Sequence, residues 1–147
     1  MKKIGLVAAV VLFVLFISSG IAWGNDQMSG LIQKTIKEGL KLCDILKEEN
    51  VIIMRVLDFI MVPFNDNPPV YAEMEKFKVL TQKAERLVLE SQKLLRGISE
   101  KDEEIVRRKL SQFRINVEKA NVIHKTVFSF FQIILYPLLE KQKGIIV

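Results

Sequence analysis

Apolar side chains recur at intervals of three and four residues along most of the chain, which is the spacing of one face of an α-helix. The first stripe of this kind begins after Asn25 or Asp26, either of which is a suitable N-cap, and stops at Pro63. Its members are Ile32, Ile36, Gly39, Cys43, Leu46, Ile53, Leu57 and Ile60. The sequence FNDNPP, from Phe64 to Pro69, then indicates a turn. We therefore predict a long first helix that ends before this turn.

Two further stripes predict a second and a third helix. The second helix is expected from about Tyr71 to Arg96, because Gly97 is a residue type that commonly ends helices. Ser99 followed by Asp102 resembles a capping box with Asp in place of the usual Glu, so the third helix is expected from about Glu100 to Gln142. The longest stripe comprises Val106, Leu110, Phe113, Val117, Ala120, His124, Val127, Phe131, Ile134 and Leu138. Such regularity is typical of a packed helical bundle.

One polar residue, Asn50, falls where the first stripe requires a core residue. Within an unbroken helix, a polar residue at such a position fixes the register. Alternatively, its side chain caps a new helix that begins at Val51. Continuity is favoured because residues 40–62 contain no Gly or Pro. The sequence predicts an all-α fold: an elongated up-down bundle of three long helices, or of four if the first helix breaks near Asn50.

Two segments, Val51–Met61 and Val127–Leu139, are apolar around most of the helix circumference. In an unbroken three-helix bundle both segments lie at the same end of the bundle, the end at which the first of the three helices finishes. The second helix is shorter than its neighbours, so it is expected to leave part of this end uncovered. The predicted interaction surface consists of Ile52, Leu57, Ile60, Phe128, Phe131, Leu135 and Leu138.

We considered three kinds of contact for this surface. Self-association or contact with another envelope protein is favoured, and contact with a membrane surface is the alternative. Insertion into a bilayer is disfavoured, because the 13 residues from Val127 to Leu139 fall short of the roughly 20 that a helix needs to cross one. Pro137 also weakens a helix in this segment.

The N-terminus has the pattern of a signal peptide. Lys2-Lys3 precede an apolar run from Ile4 to Ile17, and Ala22-Trp23-Gly24 fits the small-x-small rule for signal peptidase. Cleavage would leave Asn25 as the first residue, whereas an uncleaved anchor would use the apolar stretch Ile4–Trp23. In both cases the rest of the chain is expected to be exported, either to the periplasm or to the outer face of the cytoplasmic membrane. We expect a signal segment at 1–24 and a single bundle domain at 25–147.

Charge and residue inventory argue against several functions. The net charge of +5 falls to +3 without the two N-terminal lysines (20 basic and 17 acidic residues remain), which is too small to indicate a nucleic-acid partner. Cys43 is the single cysteine, so it is expected to be a small buried side chain or, alternatively, to form a disulfide with another chain. With one His and no CxxC, HExxH or Gly-rich phosphate loop, we predict no catalytic residues, no metal site and no enzymatic activity.

A few features resemble the small periplasmic b-type cytochromes, four-helix bundles related to the cytochrome c-prime group. These features are the signal peptide, Met28 in NDQMSGL, a PP turn midway, and His124 in NVIH. The resemblance implies that Met28 and His124 ligate the iron of haem b. It requires a break near Asn50, because only then do these two residues reach the same level of the bundle. The sequence thus favours a non-enzymatic cell-envelope bundle that acts as an interaction or structural module, with a haem-binding electron carrier as the alternative.

Overall fold

A computed structural model describes residues 2–18, 26–99, 102–137 and 140–141. Four α-helices account for most of them, and no strand occurs within these ranges. The helices are α1 (Lys2–Ser18), α2 (Asp26–Met61), α3 (Pro68–Arg96) and α4 (Glu103–Phe130), with a 3₁₀ turn at Val62–Phe64 and a π-helical turn at Phe131–Leu135. The all-α fold is confirmed, and α2, α3 and α4 are the three long helices of the predicted up-down bundle.

The helix α2 passes through Asn50 without a break, so the expectation of a continuous first helix is confirmed. Its 36 residues correspond to a length of about 54 Å at 1.5 Å per residue. The side chain of Asn50 contacts His124 of α4 and does not cap a new helix. The helix ends where Pro63 enters the 3₁₀ turn.

The helix α3 begins three residues earlier than expected, at Pro68 instead of Tyr71. Asn67 is its N-cap and accepts a hydrogen bond from the backbone N–H of Val70. Pro68 stands at the first helical position, where a missing N–H costs nothing. The two prolines therefore start the helix and do not lie in the preceding turn, and the additional turn extends α3 toward the end of the bundle.

The start of α4 also differs from expectation. Asp102, and not Ser99, is the N-cap, and its carboxylate accepts hydrogen bonds from the N–H groups of Glu104 and Ile105. At its other end α4 widens into the π-helical turn shortly before Pro137. A proline supplies no N–H to the helix, and a π turn is one way in which a helix accommodates such a local defect.

Contacts between side chains define the directions and register of the helices. Asp44 on α2 bonds Gln92 on α3, and further along α2 Asp58 pairs with Lys78, which is earlier in α3, so these helices are antiparallel. In contrast, α2 and α4 are parallel. Gly39 lies beside Phe113 and Asn50 beside His124, a constant difference of 74 residues (113 − 39 and 124 − 50).

The N-terminal helix α1 packs against α2 and α4, and among the described residues it has no contact with α3. Val10 and Val14, one turn apart, are almost fully buried, whereas Leu12 on the opposite face is 64% exposed. In the part of the chain that the structure describes, no helix has both the length and the hydropathy to cross a membrane. The expected cleavage site between Gly24 and Asn25 lies outside the described residues.

Candidate functional site

A buried polar cluster links α2 to α4 in the middle of the bundle. The imidazole of His124 is fully buried, with Nδ1 2.7 Å from Oε2 of Glu49 and Nε2 2.5 Å from Oδ1 of Asn50. The adjacent core positions are apolar, and Asn50 itself is nearly inaccessible. Because a buried polar group without a partner is costly, this pairing specifies which turn of α4 lies against which turn of α2.

Both ring nitrogens of His124 face oxygen atoms, which limits the protonation patterns that satisfy the cluster. A doubly protonated ring donates from Nδ1 to Glu49 and from Nε2 to Asn50. A neutral ring that donates from Nδ1 to Glu49 has Nε2 as an acceptor, so Asn50 must then turn its amide to donate from Nδ2. In the observed orientation Nδ2 of Asn50 is buried and has no hydrogen-bond partner.

The arrangement of this cluster fits a structural role better than a catalytic one. A carboxylate beside a histidine is the orienter and base of many nucleophilic enzymes. Here the third group is the amide of Asn50, which is not a nucleophile, and no surface of His124 is open to a substrate. Within the described residues, no three His, Cys, Asp or Glu side chains are grouped to hold a metal ion. His124 is therefore a hydrogen-bonded residue of the core.

A surface cleft of about 450 Å³ lies between α2 and α3 on the other side of Asn50. Its lining mixes charged and apolar side chains: Lys47, Asn50, Val51, Met54, Arg55, Asp58, Glu85 and Leu89. Asp58 already pairs with Lys78 at 2.8 Å. Since Asn50 separates this cleft from His124, a molecule in the cleft has no access to the imidazole.

The structure does not bring Met28 and His124 together. Met28 lies in the first turn of α2, and His124 bonds Asn50, which is 22 residues further along the same unbroken helix. At 1.5 Å per residue this separation is about 33 Å. One iron atom cannot be ligated by both residues in this fold.

The predicted interaction surface is divided by the structure. Leu57, Ile60 and Phe131 are buried, so their assignment to the surface was wrong: they continue the core seam to the end of the bundle. The helix α3 covers these residues because it starts earlier than predicted. The ring of Phe77 on α3 also packs on Phe130, with 4.3 Å between the ring centroids. The sequence had not predicted this cover. Of the remaining predicted residues, Ile52 and Phe128 are 55% and 39% exposed.

Two other residues of that surface cannot be assigned a position on it. The side chain of Leu135 and the whole of Leu138 lie outside the described residues.

Four exposed residues at this end were missed by the sequence analysis. Phe59 and Ile133 are 81% and 73% exposed, and Val62 and Tyr136 are also exposed. The offset of 74 residues holds as far as Asn50 and His124, and it places Phe59 and Val62 close to the level of Ile133 and Tyr136, to within the change of rise at the π-helical turn. We call these four residues, with the two exposed predicted residues, the apolar end: Ile52, Phe59, Val62, Phe128, Ile133 and Tyr136.

The single cysteine is part of the core. Cys43 is fully buried and free, which confirms the expectation of a small buried side chain. Burial, followed by the neighbouring charge of Asp44, raises the pKa of the thiol to about 12. A disulfide with another chain is not compatible with this fold, because the sulfur cannot reach the surface.

Comparison of the chain with protein-family profiles, with curated proteins and with solved structures gives no match. The fold and the site alone therefore define the class: an all-α up-down bundle with a polar link between two parallel helices and an exposed apolar end.

Proposed function

We propose that this chain is a non-enzymatic protein of the cell envelope that acts as an interaction or structural module through its apolar end. The observation that carries the proposal is the exposure of Phe59, Val62, Ile133 and Tyr136 on neighbouring helices at similar levels. Scattered single apolar side chains are normal on protein surfaces, but a contiguous group of large ones is typical of a binding surface.

The charge distribution supports the same proposal. Residues 126–137 of α4 and its continuation contain no charged side chain, and Asp58 is the one charged residue of α2 after Arg55. The carboxylate of Asp58 is paired with Lys78 on α3. Burying one large apolar side chain contributes about 1.5–3 kcal/mol, so several such residues are enough to hold a protein partner.

The proposed location rests on the N-terminal sequence. Two lysines, an uncharged apolar run and a small-x-small site are the features by which an exported chain is recognised. The proposal includes cleavage after Gly24. The intact mass of protein purified from the envelope fraction reports directly whether Asn25 is the first residue.

Light scattering coupled to size-exclusion chromatography tests the interaction role. Protein expressed with its own N-terminal segment and purified from the envelope is expected to be oligomeric. Phe59→Glu is expected to make it monomeric, because a charge at the apolar end opposes burial. Val122→Glu, which adds a charge at an exposed position on the α3 side of α4, is the matched control and should leave the mass unchanged.

Other outcomes would replace the proposal. A monomeric wild type that sediments with lipid vesicles would assign the apolar end to a membrane surface. A strong Soret absorption band that is lost in His124→Ala would establish haem binding instead.

A further inference from the structure

The surface cleft between α2 and α3 lies between two polar contacts that join these helices. Asp44 bonds Gln92 on one side of the cleft, and Asp58 pairs with Lys78 on the other. The cleft has a volume of about 450 Å³. Pockets that bind small molecules commonly have volumes of about 300–1,000 Å³, so this cleft is large enough for a small ligand.

The amide of Asn50 brings an unused hydrogen-bond donor to this cleft. Asn50 lines the cleft and is 4% exposed, and its Oδ1 contacts Nε2 of His124 on the side away from the cleft. Nδ2 is buried and has no hydrogen-bond partner in the described part of the chain. An unpaired buried donor is costly. Because His124 fills one side of Asn50, the cleft is the side from which an acceptor can reach Nδ2.

Two cationic side chains of α2 also line the cleft. Lys47 precedes Asn50 by three residues (50 − 47), and Arg55 follows it by five (55 − 50). Neither cation forms an ion pair with a described residue. The carboxylate of Asp58 differs from them, because Lys78 pairs with it at 2.8 Å. The acceptor that suits Nδ2 of Asn50 is therefore an anion.

The carboxylate of Glu85 limits the charge of this anion. Contacting residues of the antiparallel helices α2 and α3 have numbers that add to 136 (44 + 92 and 58 + 78), so Glu85 lies level with Val51 (51 + 85). Glu85 lines the cleft and has no ion-pair partner among the described residues. Lys47, Arg55 and Glu85 together carry a net charge of +1. This charge matches a carboxylate better than a doubly charged phosphate monoester.

Apolar side chains line the remainder of the cleft. Val51 of α2 and Leu89 of α3 are 48% and 41% exposed, and Met54 is half-buried. Leu89 lies level with Lys47 (47 + 89), so an apolar side chain of α3 stands opposite a cation of α2. An alkyl chain that covers these side chains removes apolar surface from water, which favours binding.

We propose that this cleft binds a small amphipathic carboxylate, such as a medium-chain fatty acid. The carboxylate accepts a hydrogen bond from Nδ2 of Asn50 and is attracted by Lys47 and Arg55, while the alkyl chain covers the apolar residues of the cleft. No residue of the apolar end lines the cleft. The inference thus goes beyond the proposed interaction role and does not depend on it.

Calorimetric titration with octanoate, octanol and octyl phosphate tests the head group. Octanoate is expected to bind about tenfold more tightly than octanol, which has the same chain length but no charge. It is also expected to bind more tightly than octyl phosphate at about pH 8, where the phosphate is doubly charged. Failure of octanoate to bind, or equal binding of octanoate and octanol, would refute the site. Tighter binding of octyl phosphate would refute the assignment of a carboxylate.

Charge variants test the location of the ligand. Lys47→Gln and Arg55→Gln are each expected to weaken octanoate binding about threefold, because each removes a cation from the cleft. Lys37→Gln removes a cation from an exposed position of α2 outside the cleft, so it is the matched control and should leave binding unchanged. Equal binding by all three variants would contradict the proposal.

A variant of the apolar end separates this inference from the proposed function. Phe59→Glu is expected to bind octanoate as the wild type does, whatever its oligomeric state. Loss of octanoate binding in Phe59→Glu would place the molecule at the apolar end and refute the site in the cleft. Absence of octanoate binding by an oligomeric wild type would refute the cleft and leave the interaction role standing.

Nuclear magnetic resonance of the isotope-labelled wild type tests the role of Asn50 directly. Octanoate is expected to shift the side-chain amide signals of Asn50, since Nδ2 gains an acceptor, whereas octanol is expected to leave them in place. Because this measurement uses the unaltered chain, it does not depend on the folding of a variant. Asn50 amide signals that stay unchanged at saturating octanoate would overturn the proposal.

Discussion

At the scale of single residues, the three long helices pack closely together at Gly39. A Cβ atom at this position would lie 2.7 Å from Cδ1 of Leu95 and 3.0 Å from Cζ of Phe113. Both neighbours are buried and have little room to move. The absence of a side chain at Gly39 therefore sets the distance between α2 and the other two helices.

Gly39→Ala is expected to destabilise the protein by about 1–3 kcal/mol, the usual cost of overpacking a core. This loss exceeds the gain of about 1 kcal/mol that alanine brings to a helix interior. Gly30→Ala is the matched control on the same helix, because a Cβ there meets nothing within 4 Å. Urea unfolding should show opposite signs for the two variants, and a stabilising Gly39→Ala would contradict the observed packing.

The hydrogen bond between His124 and Asn50 is the basis of a second prediction about single residues. His124→Leu removes the bonds to Asn50 and Glu49 and is expected to cost about 1–3 kcal/mol, the penalty for a buried polar group that loses its partner. Adding Asn50→Leu removes the stranded amide, so the double variant is expected to be more stable than the sum of the single effects. Additive effects in urea unfolding would show that the two side chains do not interact.

At the scale of helices, most elements begin and end at positions determined by local chemistry. Asn67 with Pro68 begins α3, and Asp102 begins α4. Buried hydroxyl groups are satisfied within their own helices: Thr35, Thr81 and Ser91 each donate to the carbonyl four residues earlier, at 2.7 Å. Such bonds let polar residues occupy the core without a tertiary partner.

The N-cap of α4 is Asp102, whereas the sequence predicted a capping box that starts at Ser99. Asp102→Ala removes the acceptor for two backbone N–H groups and is expected to cost about 0.5–2 kcal/mol. Ser99→Ala is the control and should have little effect, because Ser99 is exposed and lies outside the helix. Thermal unfolding of the two variants gives the comparison, and a larger loss for Ser99→Ala would favour the capping box.

At the scale of the whole molecule, the sequence predicted the helices better than their surfaces. The stripes found the three long helices, because regular spacing depends on the chain alone. The pair of Asn50 and His124 had a signal that was not used: both are polar residues on apolar stripes, 24 and 21 residues after the starts of α2 and α4 (50 − 26 and 124 − 103).

The exposed residues of the apolar end were harder to predict. Leu57, Ile60 and Phe131 belong to the buried core. The π-helical turn changes which side of the helix carries the residues that follow Phe131. Which side of a uniformly apolar helix is exposed depends on neighbouring helices and not on its own composition. For the same reason, the packing of α1 against α2 and α4 was not predicted from the sequence.

The apolar segments of α2 and α4 lie side by side at one end of the bundle, and the proposed function depends on this placement. Spin labels at Val62→Cys and Tyr136→Cys measure this directly, since the buried thiol of Cys43 does not react. With labelled protein diluted in unlabelled protein, the expected distance is below about 25 Å, because axes of packed helices are about 8–10 Å apart. A distance near 50 Å, about the length of the 36 residues of α2, would place the segments at opposite ends and contradict the account.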